Sequence, residues 1–189
     1  MKHEVVIRFW FDELKPAQWF VADSRVDAQI RWYFLDVWEA ACQDKLAHWR
    51  TGALAHWRAT QDGRLAEILV LDQFSRNLWR NNARAWAQDD KALALAQEAI
   101  KQPEFPPQDA NWRNFILMPL MHAESAAVHQ QAIQLFDFAG NGQTLRAERQ
   151  HKAIIDRFGR FPHRNALLGR TSTPEERAFL ASSTLAFMK

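Results

Sequence analysis

The chain has 189 residues, 48% hydrophobic and 12% aromatic, which fits one folded domain and excludes an intrinsically disordered chain. Its formal charge of +2 is too small to point to nucleic acid by itself. Cys42 is the single cysteine, so no intrachain disulfide can form, and a reducing, cytoplasmic compartment is expected.

No apolar run reaches the length of a membrane span, and Val5–Phe11 is too short and interrupted for a signal peptide. Val5–Leu14 reads as a short buried strand or a helix, ended by Lys15-Pro16, with Trp19-Phe20 as an anchor in the following loop. Ser24 is placed to cap a helix, with Asp27 three residues later and Ile30, Phe34, Val37, Trp38 and Ala41 on its apolar face. Lys45–Thr60 suggests one or two short helical turns; His48-Trp49-Arg50 and His56-Trp57-Arg58 look like a local duplication across Gly52.

Asp62 is the expected cap of a helix from Gly63 to about Arg80, apolar around much of its circumference and therefore central. After a turn at Ala83–Trp86, Asp89 is expected to cap an amphipathic helix that Pro103 closes. Asp109 starts another, which Pro119 should kink or end. Ser125–Phe138 and Thr144–Phe158 follow, separated by Gly140-Asn141-Gly142. Thr173-Pro174-Glu175-Glu176 is a strong helix start, with Phe179, Leu180 and Phe187 docking the last helix. The pattern predicts a single all-α domain over 1–189, with about seven to nine helices in antiparallel hairpins resembling a tetratricopeptide array, although the Trp-Leu-Gly-Tyr repeat pattern is missing.

Several polar residues fall on apolar faces. Asp72 and Arg76, four residues apart, share a stripe with Leu65, Ile68, Leu69 and Trp79, so each needs a partner. They form either a buried structural ion pair or a ligand-facing pair, and Gln73 and Asn77 extend the patch around the helix. Glu148 and His151 point inward on the Thr144–Phe158 helix. His122 and Glu124 follow the Pro119 break, where they either contact a ligand or brace the bend. From Thr144 to Arg170 there are seven Lys or Arg residues against two acids, a net of +5, and within Arg157–Arg170 the side chains of Arg160, His163 and Arg164 can clamp a phosphate or carboxylate, or else the arginines tie the turn to helix C-termini and to Asp72, Glu124 or Glu148. No spacing matches a tight helical metal-ligand pair, so no metal and no cofactor is expected.

Phe9-Trp10-Phe11-Asp12-Glu13, Leu71-Asp72-Gln73-Phe74-Ser75-Arg76-Asn77, Arg84-Ala85-Trp86-Ala87-Gln88-Asp89, Pro119-Leu120-Met121-His122-Ala123-Glu124-Ser125, Arg157-Phe158-Gly159-Arg160-Phe161-Pro162-His163-Arg164-Asn165 and Ser172-Thr173-Pro174-Glu175-Glu176 occur in this order. Together they resemble the bacterial domain-of-unknown-function 924 family (DUF924). The resemblance implies an all-helical, tetratricopeptide-like fold and implies no activity. Ser75 stands where that family commonly has Pro, which should leave the helix straighter, and Met121 stands where an aromatic or a Phe-Glu pair is usual.

Three functions compete on this evidence. The leading expectation is binding of a small anionic molecule or acidic peptide terminus in a polar cleft formed by Asp72, Gln73, Arg76, Asn77, His122, Glu124, His151, Arg160, His163 and Arg164. The alternative is a hydrolase-type enzyme with His151 or His163 as general base, Asp72 or Glu124 as orienting carboxylate and Arg160 stabilising negative charge. The third is a protein-interaction module using a concave helical face. A membrane partner is not expected, and nucleic acid is not favoured because no recognised module is present.

Overall fold

Residues 1–44 and 57–182 are described by the computed structural model. Among them there is no strand, and the chain is all-α. Val5–Leu14, open to either reading in the sequence, is helical: α1 (His3–Arg8) runs directly into a π turn at Phe9–Glu13, burying Val6, Phe9 and Trp10. His48, Trp49, Arg50, Gly52, His56 and Phe187 lie outside the described residues.

Helix α2 (Ser24–Cys42) is capped by Asp23, one residue before the expected Ser24. Asp27 is released from any box and accepts instead from Asn77 Nδ2 at 2.8 Å and from Arg80. Helix α3 (Gln61–Leu69) likewise takes Thr60 as its cap, with Asp62 left to favour the first turn by charge. The helix is not regular beyond that point. Val70–Phe74 form a π turn that hands the chain on to α4 (Ser75–Leu78), so Ser75 does not extend a straight helix. Both α3 and the π turn are buried throughout most of their length, as the all-round apolar pattern predicted.

Asp89 is the first residue of α5 (Asp89–Ile100) rather than its cap, because its carboxylate is drawn away by two arginines. Asp109 caps α6 (Ala110–Met121) through the amides of Asn111 and Trp112. Pro119 neither stops α6 nor ends it at once; the helix runs on to Met121, close enough to its end that one missing amide is tolerated. Ser125 caps α7 (Ala126–Phe136), and α8 (Gly142–Phe158) ends on Gly159 with a left-handed φ of 69°. In α9 (Pro174–Ser182) the expected capping box is formed: Thr173 Oγ1 accepts from the Glu176 amide and Glu176 Oε2 from the Thr173 amide.

Helix α3 is central, packed against α1, α5 and α6, while α6, α7 and α8 stack onward from it. Trp10, Phe34, Phe74 and Phe115 fill the space between these elements at 1% exposure or less. A smaller cluster of Ile154, Ile155 and Phe161 sits beneath the Arg157–Arg170 turn.

Candidate functional site

The π turn carries the polar groups of the central helix. Because neighbouring elements cover that helix on all sides, two consecutive polar side chains are buried there, Asp72 fully and Gln73 at 6% exposure. Asp72 then collects donors from three directions. Gln73 Nε2 lies 2.6 Å from Oδ2, Arg76 Nη1 3.1 Å from Oδ1, and His122 Nδ1, at the end of α6, 2.7 Å from Oδ1. Burial works to raise the Asp72 pKa, but Arg76, His122 and Gln73 overcome it and hold the carboxyl well below the usual range.

That charge state fixes the His122 tautomer. An ionised carboxylate can only accept, so Nδ1 of His122 carries the hydrogen. Burial, then the Arg76 charge, pushes the His122 pKa down despite Asp72, so at neutral pH the second nitrogen, Nε2, keeps its lone pair. The His122 side chain is 14% exposed and lines an open cleft of about 460 Å³, shared with Arg84, Trp86, Leu93, Glu124, Ser125 and Arg164.

A second histidine–carboxylate pair provides an internal comparison. His129 Nδ1 is 2.6 Å from Glu148 Oε1 and its Nε2 is 2.9 Å from the Ala123 carbonyl, with both side chains at zero exposure. A carbonyl only accepts, so Nε2 is protonated, and the pair shares a single proton between Nδ1 and the carboxyl. Burial raises the Glu148 pKa. Both ring nitrogens of His129 are used up inside the protein; His122 spends one and turns toward the cleft.

The arginines of the conspicuous basic turn are each engaged. Arg157 pairs with Glu175, Arg160 with Glu176, Arg164 with Asp89 and Arg170 with Glu124. Arg164 also donates to the His122 carbonyl at 3.1 Å, and Asp89 accepts from Arg76 as well, so one chain of charges runs from Asp72 through Arg76 and Asp89 to Arg164. Glu124 accepts additionally from the Phe161 amide at 2.7 Å. Burial pushes the Glu124 pKa up, but the Arg170 and Phe161 hydrogen bonds leave it lowered on balance.

Of the residues expected at the site, Asp72, Gln73, Arg76, His122 and Arg164 are brought together, with Glu124 on the cleft wall. His151 stands next to them, its ring centroid 6.3 Å from that of His122, but it donates Nδ1 to the Ala147 carbonyl and packs on Phe161. Burial depresses its pKa to about 3. His163 lies against Trp86 and Phe161, with a pKa that burial and Arg164 lower to about 4. Asn77 and Arg160 are elsewhere, one bonded to Asp27 on α2 and the other clasping α9. Asp89 was not anticipated, since an aspartate at a helix start reads as a cap; Glu124, one of the carboxylates expected to tie the basic turn, is held by Arg170, 46 residues away. Among the described residues, no three His, Cys, Asp or Glu side chains are grouped to hold a metal ion.

Comparison with known proteins agrees with this architecture. Among curated proteins none matches the chain. The structure of a protein of unknown function, ATU0120, from Agrobacterium tumefaciens is similar with a TM-score of 0.86 at 35% sequence identity, over 96% of this chain and 97% of that one. The sequence profile described as bacterial protein of unknown function (DUF924) matches residues 6–184, and the chain belongs to that family.

Proposed function

We propose that the protein is a hydrolase-type enzyme acting on a small molecule in the cleft, with His122 as the general base. The observation that carries this reading is the bond from His122 Nδ1 to the buried, ionised Asp72, which leaves Nε2 as the basic nitrogen of a cleft-lining side chain. Asp72 holds the ring in one tautomer and orientation, and Arg76 and Gln73 hold Asp72. A water within reach of Nε2 would lose its proton to it as the water oxygen attacks the acyl carbon or phosphorus of the substrate; the bond to the leaving oxygen then breaks, and the imidazolium, stabilised by Asp72, returns the proton to that leaving oxygen. His151 and His163, the bases expected first, are less suited: of the three histidines it is His122 that stands among the residues lining the cleft and that is bonded to the buried Asp72.

The anion-binding reading, taken with the basic turn as its clamp, is supported less well, since the four arginines of that turn already face carboxylates. Two measurements test the proposal. Nitrogen-15 NMR of His122 should report a neutral ring protonated on Nδ1 at pH 7; a cationic ring or the opposite tautomer refutes it. On a panel of p-nitrophenyl esters and phosphates, His122→Gln should lower kcat/KM at least about a hundredfold with the melting temperature nearly unchanged. Equal turnover by the variant also refutes it.

A further inference from the structure

Arg84 differs from every arginine discussed at this cleft. It lies in the turn before α5, exposed, on the rim of the cavity that His122 lines. Its guanidinium carbon is 3.5 Å from the centroid of the Trp79 ring and 5.2 Å from that of Trp38. Stacking on an indole face fixes the plane of the group and leaves its in-plane N–H edges unspent. Among the described residues, no carboxylate or carbonyl accepts from the Arg84 side chain, whereas Arg76, Arg164 and Arg170 are all consumed by acids. Asp90 is also on the rim, and no ion pair joins it to Arg84.

The same lining also includes the apolar residues Trp86, Leu93 and Leu168, together with the polar side chains of His122 and Ser125. The charges of Asp72, Arg76, Asp89, Arg164, Glu124 and Arg170 cancel pairwise, so the lining charges outside that network are Arg84 and the exposed Asp90, and Arg84 is the cation whose plane is held by stacking.

We infer that Arg84 is the anion subsite of this cleft, and that its ligand is a small molecule with an apolar body and an oxyanion group, carboxylate or phosphate. The inference rests on reading the cleft as a small-molecule site. The apolar body lies along Trp86 and Leu93, the oxyanion is bound bidentately by the guanidinium edge, and the remaining polar end is left toward His122.

Benzoate and phenyl phosphate are the probes, with benzamide as the uncharged control, followed by the His122 ring signals and Trp fluorescence of the whole protein. Wild type should bind at least one of the anions, and bind it more tightly than benzamide. Arg84→Gln should raise its Kd about tenfold or more, and Arg84→Lys, which keeps the charge without the fork, should fall between the two. Stronger binding of phenyl phosphate marks a phosphate subsite, and of benzoate a carboxylate subsite; either supports the inference. Unchanged affinity in a folded Arg84→Gln, or no binding of either anion by wild type, overturns it. Those failures leave the tautomer test of His122 untouched, and a cationic His122 with Arg84-dependent anion binding intact would sink the acid–base reading alone.

Discussion

Arg164 and Asp89, 75 residues apart in the chain, meet with Nη1 2.9 Å from Oδ2, and the contact ties the basic turn to the start of α5. The two side chains are 7% and 13% exposed, so the pair is largely withdrawn from water. Asp89 serves Arg76 at the same time. Asp89→Asn therefore removes the carboxylate paired with the buried Arg164 and one of the two facing Arg76, whereas Arg164→Met leaves Asp89 still bonded to Arg76. Asp89→Asn should cost about 3 kcal/mol or more in urea unfolding, and Arg164→Met clearly less. The reverse order would mean that Asp89 is not the hub of this network.

Acid should weaken the fold first through two histidines held neutral by burial. His151 has an ordinary value of 6.5 and a folded value of about 3, and His163 a folded value of about 4, so between these limits the unfolded chain binds more protons than the native one. Stability then falls as pH drops below 6.5, with a slope of ~1.4 kcal/mol per pH unit for each such histidine. Glu176, lowered from 4.5 to about 2 chiefly by its Arg160 hydrogen bonds, adds a further loss as pH falls through that interval. Denaturant unfolding between pH 7 and 3 should show both stages, and His151→Leu should flatten the first. A profile level from pH 6.5 to 4.5 contradicts the assignment.

The sequence carried the architecture well and the site only in part. Spacing of four residues placed Asp72 and Arg76 on one inward face, and they are indeed bonded there. The capping box at Thr173 and Glu176 was legible because it is written in four consecutive positions. The π turn at Val70–Phe74 was not, since the extra residue it accommodates leaves no mark on a pattern read at helical period. Asn77, one residue round the helix from Arg76, faces α2 and bonds to Asp27, a partner 50 residues away that no local spacing announces. Asp89 was read as a cap because aspartate at a helix start is the same signal whether it bonds an amide or an arginine. In the proposed reading the base is His122 and not His151 or His163, because the cleft is lined by His122, a placement no local spacing announces.

Gly63 makes a prediction opposite in sign to helix propensity. It sits in the first turn of α3, where alanine would ordinarily stabilise by about 1 kcal/mol. A Cβ there, however, would lie 1.9 Å from the Trp57 carbonyl oxygen, a backbone atom that cannot swing aside. Gly63→Ala should therefore destabilise by about 2 kcal/mol or more, measured by urea unfolding, because the Trp57 turn must be pushed off the helix. A neutral or stabilising result would mean that this close packing does not persist in solution.

The two histidine–carboxylate pairs separate stability from chemistry. Removing His129 strips Glu148 of its hydrogen-bond partner, in a place where Glu148 Oε2 is already buried without one. Removing His122 leaves Asp72 with Arg76 and Gln73 still bonded. His129→Phe should thus cost about 3 kcal/mol, and His122→Gln about 1 kcal/mol or less, in the same unfolding assay. In turnover the order should invert: at temperatures where both variants remain folded, His129→Phe keeps most of the activity and His122→Gln loses it. If both variants lose stability and activity in parallel, His122 is one more internal brace, and the cleft it lines has no acid–base role.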